Sequence, residues 1–318
     1  MKTFQIIEAS NYSPKAIEIY EQIGQIHLGE VDDRTKQSVQ CLIVRLAHRI
    51  DRQYLKNYCA LECVVTPTTG LNHIDLDFCR QNKIQVFSLR NCKEELFNIT
   101  STSELTIGLL LALERKITVA SADVIKKLEW QSDNYRGRQI NGLTIGIVGL
   151  GRIGSHVARY ASALGMSVVA NDDFVSDEHF IAIGAKRQSM KNLLSKSDVI
   201  TLHASFEMGQ APILGQEQIE LMKSDAVIIN TARGELLDEI AVANAITNGK
   251  LAGVAADVLC FENSAEFLEK SPLMKLASAG ENVVITPHVG GCTDEAMGIT
   301  EVIMAKYVVS KIFGDAGA

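Results

Sequence analysis

Leu143-Thr144-Ile145-Gly146-Ile147-Val148-Gly149-Leu150-Gly151-Arg152-Ile153-Gly154 is the stretch that decides the fold. An apolar run with β character passes directly into G-x-G-x-x-G, and Ser155 to Gly165 then reads as a helix. Ser167 to Ala170 reads as a second strand, closed by Asp172, which stands 18 residues after Gly154. A bare G-x-G-x-x-G is a weak signal. With strand, helix and acidic residue in place it reads as a dinucleotide-binding βαβ unit. Gly149 permits the tight turn, Gly151 lets the backbone approach a pyrophosphate, and Gly154 lets helix pack on strand. The helix N-terminus, with Arg152 and Ile153 in the loop, offers free N–H groups and a positive dipole to phosphates. Asp172 would accept hydrogen bonds from the adenosine ribose. It is followed by Asp173 and Phe174, with no Arg or Lys close behind. A 2′-phosphate would therefore face two carboxylates, which favours NAD over NADP.

Outward from this unit, short apolar runs alternate with helical stretches. One series of candidate strands is 4–7, 41–44, 63–65 and 85–87; a second is 144–148, 167–170, 199–202, 226–229, 253–256 and 283–286. Near-continuous apolar strands separated by helices predict parallel sheets covered on both faces. The 318 residues suit about two such α/β domains. Ser103 to Trp130 reads as one long helical stretch, able to bridge domains or form a dimer contact. A last helix is expected from Thr293 to about Phe313, with Asp294 and Glu295 at its start.

Composition removes several classes of function. Lys plus Arg is 31 and Asp plus Glu is 38, a net charge of −7. An acidic chain is a poor binder of phosphate backbones. No signal peptide is evident, and the longest apolar candidate, Ile107 to Leu113, is far short of a membrane span. The seven cysteines are scattered, and Cys59 with Cys63 lacks the second pair of a zinc site. They read as free thiols of a reducing cytosol, so a cytoplasmic protein is expected.

Three further strands end in polar residues, where open parallel sheets place ligands. They are Val227-Ile228-Ile229-Asn230-Thr231-Ala232-Arg233-Gly234, then Gly253-Val254-Ala255-Ala256-Asp257-Val258 leading to Glu262, then Val283-Val284-Ile285-Thr286-Pro287-His288-Val289-Gly290-Gly291. One Arg, one carboxylate and one His thus lie at exits from one sheet. Glu266 and Glu269 follow closely and compete with Glu262 for that place. His27, His48, His156 and His179 read as ordinary surface or core residues. His73 reads as a helix-start residue.

With these segments in view, the chain resembles the D-isomer-specific 2-hydroxyacid dehydrogenases over nearly its whole length. The matching pieces are the glycine loop with Asp172, Asn230 to Gly234, Glu262, Thr286 to Gly291, the Thr69 to Asp75 loop and Asn98 to Glu104. The resemblance implies two Rossmann-like doubly wound domains. An NAD domain over 98–286 would be inserted into a discontinuous substrate domain, 1–97 plus 287–318, with substrate in a locally positive cleft. It implies NAD as cofactor, held by Gly149, Gly151, Arg152, Ile153, Gly154, Asp172, His203, Ala204, Thr231, Ala232, Asp257 and Gly290. Asp257 would lie near the nicotinamide amide. It implies catalysis by Arg233, Glu262 and His288. His288 would exchange the hydroxyl proton, Glu262 would orient it, and Arg233 would bind the substrate carboxylate. Backbone amides of Thr69 and Gly70 would take the rest of that carboxylate, with Asn98 beside the substrate. No metal is required, and a cytoplasmic homodimer through 103–130 is implied.

Some positions depart from the family. Ala204-Ser205 follows His203 where Pro is common at the second place, Gln210-Ala211-Pro212 stands where Thr is usual, and Cys292 follows the double glycine. Arg45, at the end of the 41–44 strand, matches an Arg that phosphoglycerate dehydrogenases turn toward the far phosphate. It could equally be an exposed helix-start residue. A phosphorylated or dicarboxylic substrate is thus one expectation, and no appended regulatory domain is expected. Two other readings are an NAD-sensing binding protein on the same scaffold and a formate dehydrogenase. The latter uses Gln where this chain has Glu262.

Overall fold

The computed structural model describes every residue except 1, 93, 129, 208, 261, 263–265 and 314–318. The chain divides into two compact units, Met1–Ile99 with Cys292–Ala318, and Thr100–Gly291. The inserted unit therefore extends past residue 286 and includes His288 and Gly290. Hydrogen bonds explain this boundary: Val289 N and Gly290 N donate to Asp257, and Thr102 Oγ1 donates to the Gly290 carbonyl.

In the first unit, β1 (Lys2–Ile6), β2 (Gly24–Leu28), β3 (Cys41–Ile43), β4 (Cys63–Thr66) and β5 (Gln85–Ser88) form a parallel sheet in the order β2-β1-β3-β4-β5. The inner strands β3 and β4 are buried throughout, as their apolar runs require. β2 was not anticipated: Gly24-Gln25-Ile26-His27-Leu28 mixes polar and apolar residues because it is an edge strand, paired with β1 alone. The helices Pro14–Glu21 and Asp294–Phe313 cover one face. Ala16, Tyr20, Met304, Ala305 and Val308 pack there with Phe4, Ile6, Ile43 and Val65.

In the second unit, β6 (Thr144–Val148), β7 (Ser167–Asn171), β8 (Lys186–Arg187), β9 (Val199–Leu202), β10 (Val227–Asn230), β11 (Gly253–Ala256) and β12 (Val283–Ile285) form a parallel sheet in the order β12-β11-β10-β9-β6-β7-β8. The chain runs outward from β6 through β7 and β8, returns to β9, and runs outward the other way. The order reverses between β6 and β9, which is where doubly wound sheets bind ligands. Both β8 residues are exposed, so no apolar signal marked that strand.

The expected continuous helix over 103–130 is two helices, Ser101–Glu114 and Ile117–Lys127. They break at Lys116, whose φ is +52°. The buried Glu114 explains the break. Its carboxylate takes Arg138 Nε and Nη2 at 2.9 and 2.6 Å, and its carbonyl takes Arg138 N at 3.0 Å. The helical ladder thereby loses its last acceptor to another segment. The first helix sinks Leu109, Leu110 and Leu113 into the core, worth about 1.5–3 kcal/mol per side chain. The second buries none of its residues; Ile125, and beyond it Leu128 and Trp130, are exposed. Among the described residues, no helix is long and apolar enough to cross a membrane.

Candidate active site

The glycine loop leaves β6 at the switch point. Gly149 has φ +92°, and a Cβ there would lie 2.8 Å from the His203 carbonyl and Ala204 N. Both the turn and the close approach of the chain leaving β9 therefore require glycine. A Cβ on Gly154 would strike the Gly149 carbonyl at 2.1 Å, so helix start and turn are in contact. A Cβ on Gly151 would meet nothing. That open space lies at the N-terminus of the helix Arg152–Ala163, where Gly151 provides no side-chain cap. A helix N-terminus that faces an open space suits a pyrophosphate, so these residues fit a dinucleotide.

Side chains lock this loop from several sides. Asp172, at the end of β7, accepts from Leu150 N at 2.7 Å and Phe174 N at 2.8 Å. Ser155 Oγ donates to the Leu150 carbonyl at 3.0 Å, and His179 Nε2 lies 3.1 Å from it. His179, read from sequence as an ordinary residue, thus sits against the loop. Ser103 Oγ donates to the Ile153 carbonyl at 3.2 Å. Arg187 was invisible from sequence at this place. Its guanidinium donates to the carbonyls of Asp172 and Val175 and pairs with Asp177 at 2.7 Å. The structure thus brings a cation beside Asp172, and Asp177 neutralises it. Arg152 is half-buried, and burial lowers its pKa. At the β9 exit, His203 Nε2 meets Thr201 Oγ1 at 2.9 Å. Burial pushes its pKa down to about 3, so the ring is neutral near pH 7.

The exits of β10, β11 and β12 carry the other predicted groups. Buried Asn230 accepts from Ala232 N at 3.1 Å and donates through Nδ2 to the Arg233 carbonyl at 2.8 Å. This fixes the turn from which Arg233 projects, half-buried. Thr231 is buried against Thr106, their hydroxyls 2.9 Å apart. His288 has φ +55°, a backbone conformation uncommon for non-glycine residues. Asp257 holds it there. Its carbonyl accepts from His288 N at 2.9 Å, and its carboxylate accepts from Thr286 Oγ1, Val289 N and Gly290 N at 2.6–2.8 Å. Through these bonds Asp257 positions the His288 loop. Glu262 Oε1 lies 2.7 Å from His288 Nδ1, leaving Nε2 as the nitrogen available to a substrate. The competing Glu266 pairs with Lys270 instead.

In the first unit, the turn after β4 is braced by its carbonyls. Leu89 N donates to the Thr68 carbonyl, Arg90 Nε to the Thr69 carbonyl at 2.8 Å, and Thr68 Oγ1 to the Gly70 carbonyl at 2.8 Å. Among the described residues, the Thr69 and Gly70 amides donate to no protein group. Asn98 is exposed near the end of this segment. Arg45 departs from both expectations. It is neither a free anion receptor nor an exposed helix-start residue. Its guanidinium is paired with the buried Glu301, donates to the carbonyls of Ser10 and Asn11, and lies over the Tyr12 ring at 5.1 Å. Its charge is spent inside the unit.

Comparison with known proteins agrees with this architecture. The model of the D-isomer specific 2-hydroxyacid dehydrogenase NAD-binding domain matches residues 107–290. A D-3-phosphoglycerate dehydrogenase of Methanocaldococcus jannaschii is 32% identical over 94% of this chain and 56% of its own length. A Staphylococcus haemolyticus protein, provisionally named a 2-hydroxyacid dehydrogenase, is 32% identical over 94% of this chain and 90% of its own length. The chain thus spans about half the length of the first relative and most of the second. The solved D-lactate dehydrogenase of Aquifex aeolicus, complexed with NAD and lactic acid, has a TM-score of 0.80 at 27% identity, covering 99% of this chain and 96% of that one. The chain belongs to the D-isomer specific 2-hydroxyacid dehydrogenase family, a family of NAD-dependent oxidoreductases acting on CH–OH groups. Its second unit is an NAD-binding domain.

Proposed function

We propose that this chain interconverts a D-2-hydroxy acid and its 2-keto acid with NAD(H), His288 carrying the proton. The observation that supports this most directly is the 2.7 Å His288–Glu262 pair in the same unit as the glycine loop. NAD, when bound at that loop, supplies the hydride acceptor at its nicotinamide. His288 Nε2 takes the hydroxyl proton during oxidation and returns it during reduction. Glu262 holds the ring through Nδ1 and stabilises it when protonated. Arg233 binds the substrate carboxylate and polarises the C2 oxygen. Gly149, Gly151, Gly154, Arg152 and Ile153 receive the pyrophosphate, Asp172 the ribose, and His203, Ala204, Thr231, Ala232, Asp257 and Gly290 line the cofactor side.

The substrate is a small 2-hydroxy acid. Arg45 lends no support to a phosphorylated one, because Glu301 already holds it. We further propose a cytoplasmic homodimer, with a second copy covering the exposed Ile117, Ile125, Leu128 and Trp130. Paired D- and L-2-hydroxy acids offered with NAD test the reaction. NADH should form with a D enantiomer and not with its L partner; formation with L, or with neither, contradicts the proposal.

A further inference from the structure

Glu239 is a buried carboxylate that the mechanism above does not use; it is 5% exposed. It stands in the first turn of the helix Glu239–Thr247, yet that helix is already capped. Asp238 accepts from Ile240 N at 3.1 Å and Ala241 N at 3.0 Å. Glu239 reaches away from its helix. Its Oε1 accepts from Cys260 N at 2.8 Å, and its Oε2 accepts from Ser271 Oγ at 2.6 Å. Among the described residues no cation pairs with it. An anion buried without a counter-ion is costly unless its lone pairs are all engaged. An apolar side chain could fill the same volume, but it could not hold these two donors.

Cys260 and Ser271 bracket the segment that carries Glu262. One residue before Cys260, Leu259 N donates to Glu262 Oε2 at 3.2 Å, while Glu262 Oε1 faces His288. The same peptide bears on Arg233. A Cβ on Gly234 would lie 2.1 Å from the Leu259 carbonyl carbon and 2.2 Å from Cys260 N. The backbone just after Arg233 therefore rests on the backbone just before Glu262. Ser271, fully buried, also caps the helix Pro272–Ser278, and so anchors the far end of the segment.

We propose that Glu239 is a positioning residue that pins both ends of the Glu262 segment and thereby fixes the carboxylate that orients His288. It is the counterpart of Asp257, which holds the backbone of His288 itself. The inference rests on the reading of His288 and Glu262 as the proton-handling pair.

The test uses the full chain with Glu239→Ala, Glu239→Gln, Ser271→Ala and Glu262→Gln. Glu239→Ala should lower kcat for 2-keto acid reduction roughly 10–100-fold, the scale of a misplaced catalytic group. NADH affinity should stay within about twofold, a change of only a few tenths of a kcal/mol. The pH profile of kcat should move in the same direction as in Glu262→Gln, and adding Glu239→Ala to Glu262→Gln should cost little more. Glu239→Gln keeps an acceptor for Cys260 N, and the Ser271 hydroxyl can rotate to accept from its amide. That variant should stay close to the parent in rate and profile. Ser271→Ala, which frees one end, should fall between the two.

An unmoved pH profile in Glu239→Ala, or losses that simply add to those of Glu262→Gln, would overturn the proposal. If Glu239→Ala does not fold, the same cycle is run with Ser271→Ala. NMR of the His288 ring in the cofactor-free chain gives a second readout that needs no turnover. The ring signals should shift alike in Glu239→Ala and Glu262→Gln, and a shift in Glu262→Gln alone would reject the positioning role. A chain that reduces no 2-keto acid but shows the matched shifts loses the dehydrogenase reading and keeps this one.

Discussion

The two sheets of this chain reverse their strand order in the same way, yet their switch points hold opposite chemistry. Between β6 and β9 the chain leaves open space: a Cβ on Gly151 would meet nothing, and the following helix begins without a side-chain cap. Between β1 and β3 the corresponding place is filled from within. Glu8 accepts from Arg45 N at 2.6 Å and Ala47 N at 3.1 Å. The helix after β1 is capped by Ser13, with Pro14 in its first turn, and Ser13 N donates to Glu301 at 2.6 Å. In the first unit the protein's own carboxylates, Glu8 and Glu301, accept from these backbone amides. Topology therefore offers a binding place twice, and side-chain chemistry decides which is kept free.

Breaking the filled switch point should have the largest effect on stability. Arg45→Ala strands the buried Glu301, and loss of one partner of such a pair costs about 3–5 kcal/mol. Chemical denaturation should show that loss, while the KM ratio of phosphorylated to plain 2-keto acids stays unchanged. A selective rise in KM for the phosphorylated acid would restore Arg45 as a substrate group. In the second unit the effects should fall on turnover instead. Arg233→Ala should lower kcat/KM about 10²–10³-fold with an ordinary unfolding midpoint, and a loss of stability without a loss of rate would erase the contrast. The smallest change is expected at the rim of the open switch point. Asp172→Ala removes the carboxylate proposed to receive the ribose, and should raise the NADP-to-NAD preference roughly tenfold, about 1.4 kcal/mol. Equal use of both cofactors by the parent chain would show that Asp172 does not select.

The parts legible in the sequence were those written in local pattern. β6 to β9 show as apolar runs, apart from the two exposed residues of β8, and the glycine spacing is set by backbone geometry within a few residues. Only the resemblance to the family, which keeps its acid five residues after the aspartate, separates Glu262 from Glu266 and Glu269. What escaped was set by partners far along the chain. Arg45 and Glu301 are 256 residues apart, so no local feature shows that the guanidinium is already used. Arg138 and Glu114 break a helix that propensity alone would continue. That Asp257 also holds the His288 loop is not visible locally, because its three carboxylate donors come from the loop after β12. β2 hid because an edge strand needs no continuous apolar run.

The proposed role of His288 in the second unit is tested most directly by NADH oxidation with a panel of 2-keto acids, including 3-phosphohydroxypyruvate, in the parent chain and in His288→Ala, with NADH binding measured in both. The parent should reduce at least one acid, and the variant should be slower by about 10²–10⁴ at unchanged NADH affinity. No reduction by the parent, or equal rates in the two proteins, would contradict the account.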